Sequence, residues 1–112
     1  MHDEVARVPS PDGVVDAVSV QGDGGATVSP WYDVYVVRHS GVYSSGRLVA
    51  TLTAPLVDSD NYGVKFVWST RRDLIVVYSS AKSANLKLTH VRIDGSDLSI
   101  ALRTTGSAGD RS

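Results

Sequence analysis

Val64-Lys65-Phe66-Val67-Trp68-Ser69-Thr70-Arg71-Arg72-Asp73-Leu74-Ile75-Val76-Val77-Tyr78 is the stretch whose reading decides the fold. Val64, Phe66 and Trp68 alternate with Lys65, Val67 and Ser69. After a polar break, Leu74, Val76 and Tyr78 alternate with Ile75, Val77 and Ser79. A period of two is that of a pleated strand with one buried side, and so short a connection folds two such runs into a hairpin. Branched and aromatic residues suit that pleated, half-buried surface, so Phe66, Trp68 and Tyr78 are expected mainly as core.

Outward from this pair, other short runs repeat the pattern. Trp31 to Arg38 reads as a strand with Tyr32, Val34 and Val36 on one face and Trp31, Tyr35 and Val37 on the other, both partly covered. Leu48 to Val57 has Leu48, Ala50, Leu52, Ala54 and Leu56 in common parity, with Pro55 marking an edge, a bulge or the start of a loop. Val14 to Val20 follows the Pro9-Ser10-Pro11-Asp12-Gly13 turn, but Asp16 interrupts its apolar parity. Residues 80–85 read as a linker with room for one helical turn. Leu86 and Leu88 oppose Val91 and Ile93 in parity, so a single strand there needs a bulge near Thr89-His90. Leu98, Ile100 and Leu102 supply the last apolar face.

No segment has a sustained 3.6-residue apolar period, and there is no exact internal repeat. The expectation is an all-β domain of about seven short strands, a small antiparallel β-sandwich or partly open rolled barrel. Residues 1–6 are assigned to a flexible or edge segment, 7–103 to a single β domain and 104–112 to a flexible tail. A length of 112 residues suits one modest core.

Composition limits the function. Eleven Lys plus Arg against twelve Asp plus Glu argue against nucleic-acid binding as the main role. The charges are unevenly placed, with residues 1–60 carrying a net −5 and residues 61–112 a net +4. This asymmetry balances charge within one fold and can orient a partner or a second copy. The absence of cysteine excludes disulfides and thiol chemistry. No run is long and apolar enough for a membrane helix, and MHDEVARVPSPDG has no signal-peptide pattern.

Catalytic and metal motifs are weak. His2, His39 and His90 have no metal-ligand spacing, and no cofactor is expected. Asp58, Asp60 and Asn61 offer oxygens to a cation but lack the calcium-loop pattern; Asx turns explain them more simply, as they do Asp94 to Asp97. The glycines of residues 21–27 lack the Lys-Ser or Lys-Thr of a phosphate loop. Ser40 beside His39 is not a nucleophile elbow, and no carboxylate pair is identifiable.

Aromatic and polar residues form the stronger constellation. Trp31, Tyr35, Tyr62 and Trp68, with Asp60, Asn61, Arg71 and Arg72, form a candidate surface for a peptide or a sugar if they are exposed together. The expected function is therefore a non-catalytic structural or protein-interaction domain, acting through this surface or a strand edge, with a homo-oligomer as one form of partner. The alternatives are a carbohydrate-binding module on the same residues and a small hydrolase of unidentified chemistry.

Arg7-Val8-Pro9-Ser10-Pro11-Asp12-Gly13, Ala17-Val18, Gly24-Gly25-Ala26-Thr27 and Tyr32-Asp33-Val34-Tyr35-Val36-Val37 resemble a poorly characterised family of small bacterial envelope-associated or lipoprotein-like β domains. Trp68 and Leu74 to Tyr78 fit the same resemblance, which covers most of residues 7–78 and favours a periplasmic or envelope location, with a cytoplasmic one left open. It brings no catalytic motif. Ser10-Pro11-Asp12-Gly13 also resembles the turn of bacterial β-propeller repeats, but this chain is too short to form a propeller alone.

Overall fold

The computed structural model describes residues 2–22, 31–53, 64–78, 83–93 and 95–104. The chain forms β1 (His2–Pro9), β2 (Val15–Gly22), β3 (Trp31–Arg38), a 3-10 turn (Tyr43–Ser45), β4 (Arg47–Thr53), β5 (Lys65–Thr70), β6 (Asp73–Tyr78), β7 (Ser83–Leu86), β8 (His90–Ile93) and β9 (Ser96–Thr104). A five-stranded sheet of order β1-β2-β3-β4-β7 faces a four-stranded sheet of order β5-β6-β9-β8. Among the described residues every pairing is antiparallel except β6 with β9. The architecture is all-β and compatible with a small sandwich, and among the described residues neither sheet closes into a barrel.

Alternation along each strand builds the core between the sheets. Val15, Ala17, Val34, Val36, Ala50 and Leu52 of the first sheet meet Val64, Phe66, Leu74, Val76, Val91, Leu98 and Ile100 of the second. Trp68 and Tyr78 are half-buried against this core, in keeping with a packing role. The first sheet is also buried on its outer side, where Val18, Val20 and Val37 lie beneath Tyr35 and Tyr43.

The first hairpin closes through its own turn chemistry. Gly13 N–H donates to Ser10 C=O at 2.9 Å, and Ser10 Oγ donates to Asp12 Oδ1 at 2.7 Å. Gly13 takes a φ of +71°, where a Cβ would be strained. The turn of the second hairpin sits beside it: Arg72 Nη1 donates to Asp12 Oδ2 at 2.8 Å, and Trp68 Nε1 donates to Val8 C=O at 3.1 Å. These two contacts tie the hairpins of opposite sheets together at one end.

Two sequence expectations need correction. Ser83 to Asn85, expected as the end of an 80–85 linker with room for a helical turn, instead belong to β7 on the edge of the first sheet. The parity change after Leu88 also marks a move between sheets rather than a bulge in one strand. Val49 C=O accepts N–H groups from both Lys87 and Leu88, and Thr89 C=O then accepts from Ile100 N–H in the other sheet. The inner face reverses because the strand changes layers. The expected strand Leu48 to Val57 is seen as Arg47–Thr53, and residues 54–57 lie outside the described residues.

Candidate functional site

The expected binding residues divide among separate places. Trp31 and Tyr35 lie on the outer face of the five-stranded sheet, each two positions along β3 from Asp33. The Trp31 indole fills the space above its cross-strand partner Gly22, so any Cβ at Gly22 would collide with the ring. Asp33 Oδ1 accepts from Thr51 Oγ1 at 2.8 Å, and the Tyr35 and Tyr43 rings meet edge to face at 5.2 Å. Burial, with Asp33 and Tyr43 nearby, raises the Tyr35 phenol above its ordinary pKa.

Trp68 belongs to the other sheet and packs against the core, while Arg71 and Arg72 occupy the turn after it. Arg71 is exposed, and Arg72 is engaged by Asp12. Asp60, Asn61 and Tyr62 lie outside the described residues. The structure therefore brings Trp31 to the same face as Tyr35, and Trp68 close to Arg71 and Arg72, as two separate groups.

Sequence reasoning missed a charged cluster at the end of β3. Asp16 is almost wholly buried, and its carboxylate accepts from Arg7 Nη1 at 2.7 Å, His39 Nδ1 at 2.8 Å and Ser40 N–H at 3.0 Å. An ionised carboxylate only accepts, so the shared proton is assigned to His39 Nδ1. Burial alone would raise the Asp16 carboxyl, but hydrogen bonds from His39, Ser40 N–H and Arg7 outweigh it and hold the pKa below the ordinary value. Arg7 also grips Glu4 through Nε and Nη2, both at 2.9 Å, and reaches Gly41 C=O at 2.9 Å. Ser40 takes a φ of +65°, a strained value for a non-glycine residue. The signal in the sequence was Asp16 itself, a charge in an otherwise apolar run.

The Asp16–His39 pair has the orientation of a catalytic dyad, but its surroundings point to a structural role. Both Asp16 oxygens are bound within the cluster, and together the bonds fasten β1 and β2 to the turn that leaves β3. Among the described residues, no group of three or more His, Asp or Glu is arranged to hold a metal. No helix among them is long and apolar enough to cross a membrane.

The outer face of the four-stranded sheet is more open. Register places Val67, Ile75 and Ala101 in one row across β5, β6 and β9, with Lys65, Val77 and Arg103 in the next. Val67 is 39% exposed, Ala101, Lys65 and Arg103 are exposed, and Ile75 and Val77 are half-buried. An apolar row thus lies beside a row whose two ends are cationic.

These features define an all-β domain of two packed sheets with an open face on the second. No family model, curated protein or solved structure matches the chain.

Proposed function

We propose that this chain is a non-catalytic protein-interaction domain that accepts an extended, acidic segment of its partner along β5. The supporting observation is the character of that edge beside the open face. Proteins protect sheet edges by shortness, proline, bulges or charge, and the other three edges use these devices. β1 has a register shift between Glu4 and Ala6 and ends in Pro9, while β7 and β8 have four residues each. β5 has a register shift only near its end, between Trp68 and Thr70; from Lys65 to Trp68 it pairs regularly with β6, and among the described residues no strand lies beyond it.

A strand added there would pair with the outward main-chain groups of β5 and place alternate side chains beside Lys65 and Val67. Lys65 favours an acidic side chain, and the Val67–Ile75–Ala101 row favours an apolar one two positions away. A synthetic peptide repeating Glu-Thr-Val-Thr, which sets Glu and Val two positions apart on one face of an added strand, is the probe. It should produce saturable amide shifts centred on residues 65–70, weakened by salt and by Lys65→Glu. Shifts that Lys65→Glu leaves unchanged, or no saturable shift, would overturn the assignment. The envelope location implied by the sequence resemblance belongs to the same proposal and is tested by fractionating cells that express the natural gene product.

Carbohydrate binding is the second reading, favoured by one observation: Trp31, Asp33 and Tyr35 share a face, with Asp33 held by Thr51 between the two aromatics. It ranks second because Val18 and Val20 on that same face are already fully buried. Saturable quenching of tryptophan fluorescence by β-1,4-linked hexasaccharides, lost in Trp31→Ala, would reverse the ranking.

A further inference from the structure

The outward side chains of β5, Lys65, Val67 and Ser69, are all exposed, and Val67 is one of the two large apolar side chains exposed among the described residues. Phe66 and Trp68 point the other way and pack against the core. At the far end of the strand Thr70 pairs with Asp73 on β6, and Thr70 Oγ1 donates to Asp73 Oδ2 at 2.8 Å. Among the described residues neither Lys65 nor Asp73 is ion-paired.

A second copy of the chain can meet this edge in one antiparallel register that suits both faces. A two-fold axis normal to the sheet has to pass through a residue if inner side chains are to meet inner ones. Through Lys65 it would set two lysines against each other, through Phe66 it would set Lys65 against Val67, and through Trp68 it would set Lys65 against Arg71. Through Val67 it sets Val67 against itself, Phe66 against Trp68 and Lys65 against Ser69. Branched and aromatic cross-strand pairs then stabilise the pairing on both faces. The two copies of Lys65 are about 14 Å apart along the strands, beyond a Debye length at physiological salt. Lys65 of one copy instead shares a row with Ser69 and Asp73 of the other, about 10 Å between backbones, a gap that the two side chains span. Symmetry thus makes two ion pairs from charges that are unpaired within one copy.

We propose that a chain without its partner pairs β5 with β5 of a second copy about Val67, and that an acidic segment binds by displacing that copy. The displacement rests on the peptide-docking reading above; the self-pairing does not. Five residues a side make a small interface, so the dimer is concentration-dependent.

Sedimentation velocity on the full chain at low salt, from about 10 μM to about 1 mM, tests the pairing. The wild type should pass from monomer to dimer as concentration rises. Lys65→Asp and Asp73→Lys should each weaken dimerisation about tenfold or more, because each sets like charges together at both ends. An equimolar mixture of the two should dimerise as the wild type does, since every charged contact between unlike copies then joins an acid to a base. Misfolding cannot imitate that rescue. Val67→Lys, at an exposed position outside both ion pairs, should abolish the dimer by setting two lysines face to face. A wild type that stays monomeric, substitutions without effect, or folded single variants whose mixture does not dimerise would overturn the self-pairing. The Glu-Thr-Val-Thr peptide should return the dimer to monomer, and bound peptide with the dimer intact would overturn the displacement. A peptide that does not bind while the dimer persists removes the docking reading and the displacement with it, and leaves the self-pairing standing.

Discussion

Asp16→Ala tests whether the buried charge cluster holds the fold together. The substitution removes three hydrogen bonds at 2.7, 2.8 and 3.0 Å and leaves Arg7 and the Ser40 N–H short of a partner. Breaking a buried ion pair from one side costs about 3–5 kcal/mol. Here the cost is lower, because Arg7 is one-quarter exposed and keeps both Glu4 and Gly41 C=O, and His39 is half exposed. The expected loss is about 2–3 kcal/mol, which for a domain of this size lowers Tm by roughly 8–12 °C. Asp16→Asn retains an acceptor for Ser40 N–H and should fall between the wild type and Asp16→Ala.

The cluster also sets a pH dependence. Because folding lowers the Asp16 pKa, its stabilisation is complete above the unfolded carboxylate value of about 3.9 and is lost as pH falls through the folded value. Thermal melts by circular dichroism should therefore show the gap between wild type and Asp16→Ala closing on acidification below about pH 4. A Tm within about 2 °C of wild type at pH 7, or a gap that widens in acid, would refute the reasoning.

Three further substitutions examine the core and its joints. Leu74→Ala empties a site 1% exposed between the sheets and should cost about 3 kcal/mol in urea denaturation, with both sheets unfolding in one transition; two separated transitions would show that they do not share a core. Gly46→Ala drives a methyl group against Val36 C=O and should destabilise by about 2 kcal/mol in the same assay, so a neutral result would show that the turn relaxes freely. Ser19→Ala should raise stability by about 1 kcal/mol, since Ser19 Oγ is buried with no hydrogen-bond partner among the described residues; a loss of stability would reveal a partner for that hydroxyl.

The local chemistry of the chain was legible in its order of residues. Alternation in Val64–Tyr78 identified the hairpin, and Ser10 to Gly13 identified the other tight turn, because pleat and turn geometry act over a few neighbouring residues. The same alternation placed Trp31 and Tyr35 on one face. It carried no information about which face of β3 would be covered, nor that Trp68 would lie in the opposite sheet from Trp31 and Tyr35.

Only the tertiary structure decided the long-range partners. β6 pairs in parallel with β9, and residues 83–93 are divided between the two sheets, because main-chain groups pair with whatever strand packing brings alongside. Asp16 shows the same limit for the charged cluster. Its sequence neighbours mark it as a misfit among valines, whereas Arg7, His39 and Ser40 reach it only when β1, β2 and the end of β3 are assembled. Side-chain alternation is a local property of the backbone, while burial and charge pairing depend on segments far apart in the chain.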